Sequence, residues 1–194
     1  MRESRAARAG FTLVELMIVV AIVGILAVLG IYGVRKYIAN AKTTEARNSL
    51  GQMAKDAATA FERETMAGAT LSSGSSTAVS RALCASASAS VPPSIGHVTG
   101  KKYQSSKLDW ASVADVSAKA GFPCLRFSMD APQLYMYSYT ASAGGSTPGD
   151  TFVATANGDL NGDGAASTFS ITGAINANRL LNTAPNIREV NPEE

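Results

Sequence analysis

Histidine is nearly absent from this chain: one, His97, in 194 residues. Pro92, Pro93 and Gly96 surround it and read as an irregular loop, where a lone histidine is ordinarily just solvated. Neither cysteine has a histidine near it in sequence, so a Cys/His nucleophile has no support. No HExxH, no GxSxG and no glycine-rich phosphate loop occurs, and nothing in the sequence points to an enzyme. Charge is also sparse, at 16% of residues with a formal net charge of +2. Three of the positive charges, Arg2, Arg5 and Arg8, lie in the first ten residues beside Glu3. Without that stretch, 14 basic and 14 acidic side chains remain, which argues against a general electrostatic grip on nucleic acid. Lys101 and Lys102 beside Tyr103 read as a solvated pair. Proline is missing until Pro92, so nothing forces a break in a helix over the first third of the chain.

What the sequence does have is a long apolar run. Residues 16–34 carry no charge, and 19 residues are about enough to cross a bilayer as a helix. A single carboxylate, Glu15, stands at the head of that run. An unpaired carboxylate at the bilayer centre costs roughly 2.5–3.5 kcal/mol, so Glu15 calls for a partner, and a positive charge is the natural one. The short basic segment before it fixes the N-terminal side in the cytoplasm. A secretory signal would instead be cut after its apolar core, at Ala39-Asn40-Ala41, leaving Lys42 first. Against that cut, the apolar core is longer than a signal core, and Arg35 and Lys36 intervene.

The string Gly10-Phe11-Thr12-Leu13-Val14-Glu15-Leu16, followed by the apolar residues 17–27, resembles the N-terminus of type IV pilins. The resemblance implies that a prepilin peptidase cuts between Gly10 and Phe11, and that the new N-terminal Phe11 is N-methylated. It implies that Glu15 pairs with the N-terminal amine of a neighbouring subunit during assembly. It implies a homopolymer built with a pilus assembly platform from a precursor held in the bacterial inner membrane, and an extracellular pilus serving adhesion or motility. Many members have a proline about where Tyr32 stands. Here Gly30-Ile31-Tyr32-Gly33 replaces it, with two glycines to loosen the helix. A minor pilin or a secretion pseudopilin, acting as a membrane-anchored module that binds cargo or DNA, is the alternative.

The organisation reads in parts. Residues 1–10 are the leader. One helix is expected over 11–66, with its membrane or filament-core segment at 11–34. Beyond that segment Leu50, Met53, Ala54, Ala57 and Phe61 recur at helical spacing, and that stripe is expected to pack under a C-terminal domain. Residues 67–107 are rich in Ser, Ala and Gly and read as a surface excursion, with a short helix over 77–83. Residues 108–194 read as a β-sheet head, with a small helix over 109–120 and strands over 122–129, 135–141, 152–156 and 168–172. Tyr135, Tyr137 and Tyr139 alternate along the second of these and so share one face. Gly144-Gly145 and Pro148-Gly149 mark the turn that follows it. The fold class is α+β: a long N-terminal helix, its C-terminal half packed on a small antiparallel sheet.

Cys84 and Cys124 lie 40 positions apart, without metal-type spacing. In an exported chain an even count favours one disulfide, with two buried free thiols as the other reading. Asp159-Leu160-Asn161-Gly162-Asp163-Gly164 matches the first half of a calcium loop, with candidate oxygen ligands at Asp159, Asn161 and Asp163. Its acidic twelfth position is absent, since Ser170 stands there, and Asp150 or backbone carbonyls would have to complete a shell. A hairpin turn explains the same residues. No cofactor is required; Ca²⁺ at this loop is the one candidate.

Overall fold

A computed structural model describes residues 10–63, 65–66, 72–74, 76 and 79–192. The chain divides into two compact units, Met1–Ile38 and Ala39–Glu194. Helix α1, Leu13–Glu62, runs through both without interruption, as the lack of proline allows.

In the first unit α1 is apolar on every side over residues 16–34, and each of its described residues is exposed. Leu16, Ile22, Val28 and Tyr32 each expose more than half their surface. Among the described residues it is the one helix long and apolar enough to cross a membrane.

In the second unit α1 becomes one-sided. Thr43, Ala46, Leu50, Met53, Ala54, Ala57, Ala60 and Phe61 are buried, at helical intervals of three and four. They share a core with an antiparallel sheet made of β3 (Met136–Ala141), β4 (Thr151–Gly158), β5 (Ser167–Ile175) and β6 (Leu181–Thr183), in the order β3-β4-β5-β6. β7 (Arg188–Val190) pairs with the other end of β5. The buried sheet face follows from strand alternation: Tyr137 and Tyr139 on β3, Phe152, Ala154 and Ala156 on β4, Phe169 and Ile171 on β5. Tyr135, just before β3, is buried with them. Gly173 continues the row on β5, where a Cβ would sit 2.3 Å from Phe152 Cε1, so only glycine fits. The helix-on-sheet α+β layout is the one the sequence implies.

Several local expectations are corrected. Residues 122–129 do not form a strand: α4, Gly121–Leu125, takes the first four, and a turn and irregular chain take the rest. Pro123 is tolerated in the first turn of a helix, and Phe122 and Leu125 both fall on the buried side. Gly121 starts α4 at φ +54°, with Ala87 Cα only 2.6 Å from where a Cβ would lie. Phe122 and Phe127 pack edge-on against Trp110, at 4.9 and 5.3 Å. An aromatic-rich run therefore reads as a strand when it is a helix and a tail around one tryptophan. The helix expected over 109–120 is two: α2 (Lys107–Trp110) and α3 (Val113–Ala118). Ser112 divides them by capping α3, its Oγ accepting from Asp115 N at 3.1 Å. α1 stops at Glu62 rather than at 66, because Thr65–Met66 forms β1 against β2, Val79–Ser80. That strand also displaces the end of the helix expected over 77–83, while Thr77 and Ala78 lie outside the described residues.

The Ser/Ala-rich residues 83–91 are not a free excursion. Leu83 N donates to Gly145 O, Ala87 N to Tyr139 O, and Val91 exchanges two bonds with Tyr137. The segment lies along the outer edge of β3, which small side chains permit. Ser88 donates to the buried Asp115 carboxylate from both its N–H and its hydroxyl.

Two polar links join the second half of α1 to the sheet. Arg47 makes a two-pronged ion pair with Glu189 on β7, Nε–Oε1 2.7 Å and Nη2–Oε2 3.0 Å. Glu45 Oε1 accepts from Leu134 N at 2.8 Å and from the Tyr137 hydroxyl at 3.1 Å. Burial pushes the Glu45 carboxyl above the usual range, against those two hydrogen bonds. Burial likewise pushes the Tyr135 hydroxyl up to about 12. A raised carboxyl binds its proton more tightly in the folded state, so its contribution is full below the unfolded value near 4.5 and declines as pH rises through the raised value. Glu45→Gln keeps an acceptor without the charge, and its denaturation midpoint is expected to fall less than the parent's between pH 4.5 and 7. Glu45→Ala leaves Leu134 N and the Tyr137 hydroxyl without that acceptor and is expected to lose about 1–3 kcal/mol. Equal pH profiles for parent and Glu45→Gln would remove Glu45 as the cause.

Candidate functional site

The N-terminus of α1 is organised by two residues three apart. Glu15 Oε2 accepts from Thr12 N and from Thr12 Oγ1, both at 2.8 Å, while Thr12 Oγ1 accepts from Glu15 N at 3.3 Å. This is a reciprocal capping box, and it satisfies two N–H groups that a helix start leaves unpaired. The carboxylate also sits where the helix dipole favours negative charge. Reading for charge alone misses Thr12, although Thr12-Leu13-Val14-Glu15 carries the capping-box signature. In the isolated chain the Glu15 carboxylate is exposed and turned toward the N-terminal side, next to Phe11, itself 89% exposed.

Gly10 precedes this box. A Cβ placed there meets no atom within 4 Å, so the chain's own packing does not demand glycine. The same holds at Gly24, Gly30 and Gly33 inside the apolar helix. Each costs roughly 1 kcal/mol of helix propensity relative to alanine, with no contact among the described residues to offset it. Shallow apolar grooves run beside two of them, one along Ala21, Gly24, Ile25 and Val28, the other along Ala27, Gly30, Ile31 and Val34.

Cys84 and Cys124 are joined in a disulfide, with Cα atoms 5.8 Å apart. It ties the segment that edges β3 to α4, and the Cys124 carbonyl accepts from Arg63 Nη2 at 2.6 Å. The bridge is far along the sequence from Glu15 and braces the second unit rather than forming part of that site.

The loop at Asp159 closes on itself. Asp159 is 2% exposed, and its carboxylate accepts from Gly162 N at 2.7 Å and Gly164 N at 3.1 Å. Asn161 Oδ1 accepts from Asp163 N, and Asp163 Oδ1 from Ala165 N. These are turn bonds between β4 and β5. The oxygens that a cation would take are largely engaged, and Ser170 lies paired within β5, opposite Thr155. Two carboxylates and one amide would need backbone carbonyls or water beside them to reach the six to eight oxygens Ca²⁺ takes. Among the described residues no group of three His, Cys, Asp or Glu side chains converges as a metal site. His97 ends a single 3₁₀ turn, Ile95–His97, edge-on to Tyr103 at 5.7 Å.

No curated protein and no solved structure matches the chain. The N-terminal segment does match a family model, and the match covers Gly10, Phe11, Thr12 and Glu15 together with most of the apolar run. Residues 5–31 carry the prokaryotic N-terminal methylation motif, the type IV prepilin signature.

Proposed function

We propose that the chain is the structural subunit of a type IV pilus, polymerising through the first half of α1. The observation that carries this reading is the Glu15 site itself. One carboxylate, capped and exposed, stands at the head of the apolar stretch of α1, residues 16–34, every one of which is exposed. Such a surface is stable in lipid or against other apolar helices, but not in water. The glycines without an intrachain reason support the second partner, because small residues let helices approach closely. Cleavage after Gly10 places the charged amine of Phe11 at the edge of the bilayer, where the Glu15 of a neighbour is the complementary charge. The precursor then resides in the inner membrane, and the assembled form outside the cell.

Electron microscopy of filaments sheared from cells, with mass spectrometry of the subunit, tests the reading. The expected result is a filament whose main component begins at N-methylated Phe11. Gly10→Val puts a branched side chain at the cut and is expected to leave the leader on a membrane-bound chain, with no loss of folding. A mature N-terminus at Lys42 would sink the reading. A chain beginning at Phe11 that stays in the membrane fraction and is absent from filaments would move it to the pseudopilin alternative.

The Asp159 loop enters as a turn rather than a cofactor site. The full chain in detergent is expected to melt at the same temperature in EDTA and in millimolar Ca²⁺. A rise in melting temperature with Ca²⁺ that Asp159→Asn abolishes would instead establish a metal there.

A further inference from the structure

The second unit has two clefts on either side of residues 81–84. One, of about 570 Å³, has Arg81, Arg179, Ser146, Thr147 and Asn178 on its walls. The other, of about 500 Å³, has Arg63, Lys119 and Arg126. They adjoin: Arg81 lines the first and Leu83 the second, and on α1 Phe61 lines the first and Ala60 the second. No carboxylate is among the described lining residues of either. Asp150 accepts from both Thr147 N and Thr147 Oγ1, and Asp115 accepts from Ser88, so these two acids are turned to other partners, while Asp56 on α1 lies within electrostatic reach of Arg63.

Backbone conformation marks the same places. Lys119, Arg126 and Arg179 have φ of +51°, +65° and +58°. Glycine is the usual residue there, because a Cβ crowds the left-handed region. Helix ends favour cations, which accounts in part for Lys119 and Arg126, but Arg179 ends no helix. Three of the four non-glycine residues in this conformation, among those described, are cations that line these clefts, and all three are exposed. Backbone strain gathers at binding sites when the side chain it presents is needed.

We propose that the two clefts together bind an anionic polysaccharide, a sugar chain bearing carboxylates. The exposed side chains of Lys119, Arg126 and Arg179 take the carboxylates, and the side chains of Ser146, Thr147 and Asn178 suit sugar hydroxyls. Val79, Leu180 and Val116, each more than half exposed, offer apolar surface to the C–H faces of the rings. A nucleic acid fits less well, since no exposed aromatic side chain lines either cleft for a base to stack on; Phe61 is 3% exposed.

The test is binding of a labelled oligogalacturonate to the detergent-solubilised full chain, so the result does not depend on filament formation. Neutral dextran and a single-stranded oligonucleotide are the comparison probes. The key variant combines Lys119→Gly, Arg126→Gly and Arg179→Gly. Glycine suits all three backbone positions, so folding is preserved while three charges go. A control combining Lys55→Ala, Lys101→Ala and Lys107→Ala removes three exposed charges elsewhere. The expected result is binding by the parent that weakens with salt, about tenfold or more weaker binding by the glycine variant, and parent-like binding by the control. The melting temperature of the glycine variant should not fall. The proposal is overturned if oligogalacturonate binds no better than dextran, or if the control loses as much as the glycine variant. Binding of the oligonucleotide without binding of the oligogalacturonate would overturn it in favour of a nucleic-acid ligand.

Discussion

Replacing both cysteines, Cys84→Ala with Cys124→Ala, is expected to destabilise the second unit by about 3–4 kcal/mol, if the chain-entropy account of a 40-residue loop holds. Domains of this size are stable by only about 5–15 kcal/mol, so this is a large share of the total. Little of the effect comes from packing, since a thiol-sized group is removed on each side. The loss follows from what the bridge restrains. Residues 83–91 are held to β3 by the backbone bonds of Ala87 and Val91 and by Ser86, whose Oγ accepts from Ala141 N at 2.9 Å. Without the bridge that segment peels away more readily and uncovers the backbone of β3, an edge open to pairing with other chains. Denaturant titration of the double variant checks the magnitude, and its aggregation on mild heating checks the edge argument. Alkylation of the unmodified chain without reductant should label neither cysteine. Labelling of both would show that the bridge is not formed in the cell, and parent-like stability of the double variant would show that it carries no load.

How much of this was legible in the sequence depends on range. The helix could be read because its signals are local: no proline, an apolar run, then Leu50, Met53, Ala57 and Phe61 at helical spacing. The tyrosine strand was legible for the same reason, since alternation at 135, 137 and 139 needs no knowledge of the partner strand. Residues 122–129 were misread because the fold there is set from a distance. Trp110 collects Phe122 and Phe127, and Cys124 between them is bridged to Cys84, 40 positions away. β6 and β7 were missed because they are three residues each and mostly exposed. β7 is held by pairing with β5 and by the reach of Arg47 to Glu189, 142 positions away, which no window of sequence shows. At the candidate site Glu15 was conspicuous as a charge and Thr12 was not. Its role is a hydrogen bond, which a reading for charge passes over although the capping-box spacing of Thr12 and Glu15 is in the sequence. The cation clefts were illegible for a plainer reason. Arg63, Arg81, Lys119, Arg126 and Arg179 are scattered over more than a hundred residues and meet only in the fold.

Glu15→Ala is expected to leave cleavage after Gly10 and membrane insertion intact, and to reduce filament yield about tenfold or more when this is the only pilin present. Insertion depends on the apolar residues 16–34, which the substitution leaves alone. Within the chain the loss is one capping box, worth about 0.5–2 kcal/mol at a helix end that has no further tertiary role in its own unit. The large effect is between subunits. A charged Phe11 amine entering a bundle of apolar helices is unfavourable without a counter-charge, and so is an unpaired Glu15. Pairing removes both. Because buried pairs return much of their attraction as desolvation, the pair is expected to fix register more than to add net stability. Two further variants separate the cap from the charge. Glu15→Gln keeps a side chain that can close the capping box but carries no charge. Thr12→Val keeps the charge but removes the hydroxyl that holds the carboxylate in place. If pairing drives assembly, Glu15→Gln should fail as Glu15→Ala does, and Thr12→Val should assemble, with reduced yield. If the cap alone matters, Glu15→Gln should assemble normally and Thr12→Val should be the worse of the two. Fully cleaved Glu15→Ala protein that forms normal filaments would remove Glu15 from assembly altogether and leave it a recognition residue for the peptidase.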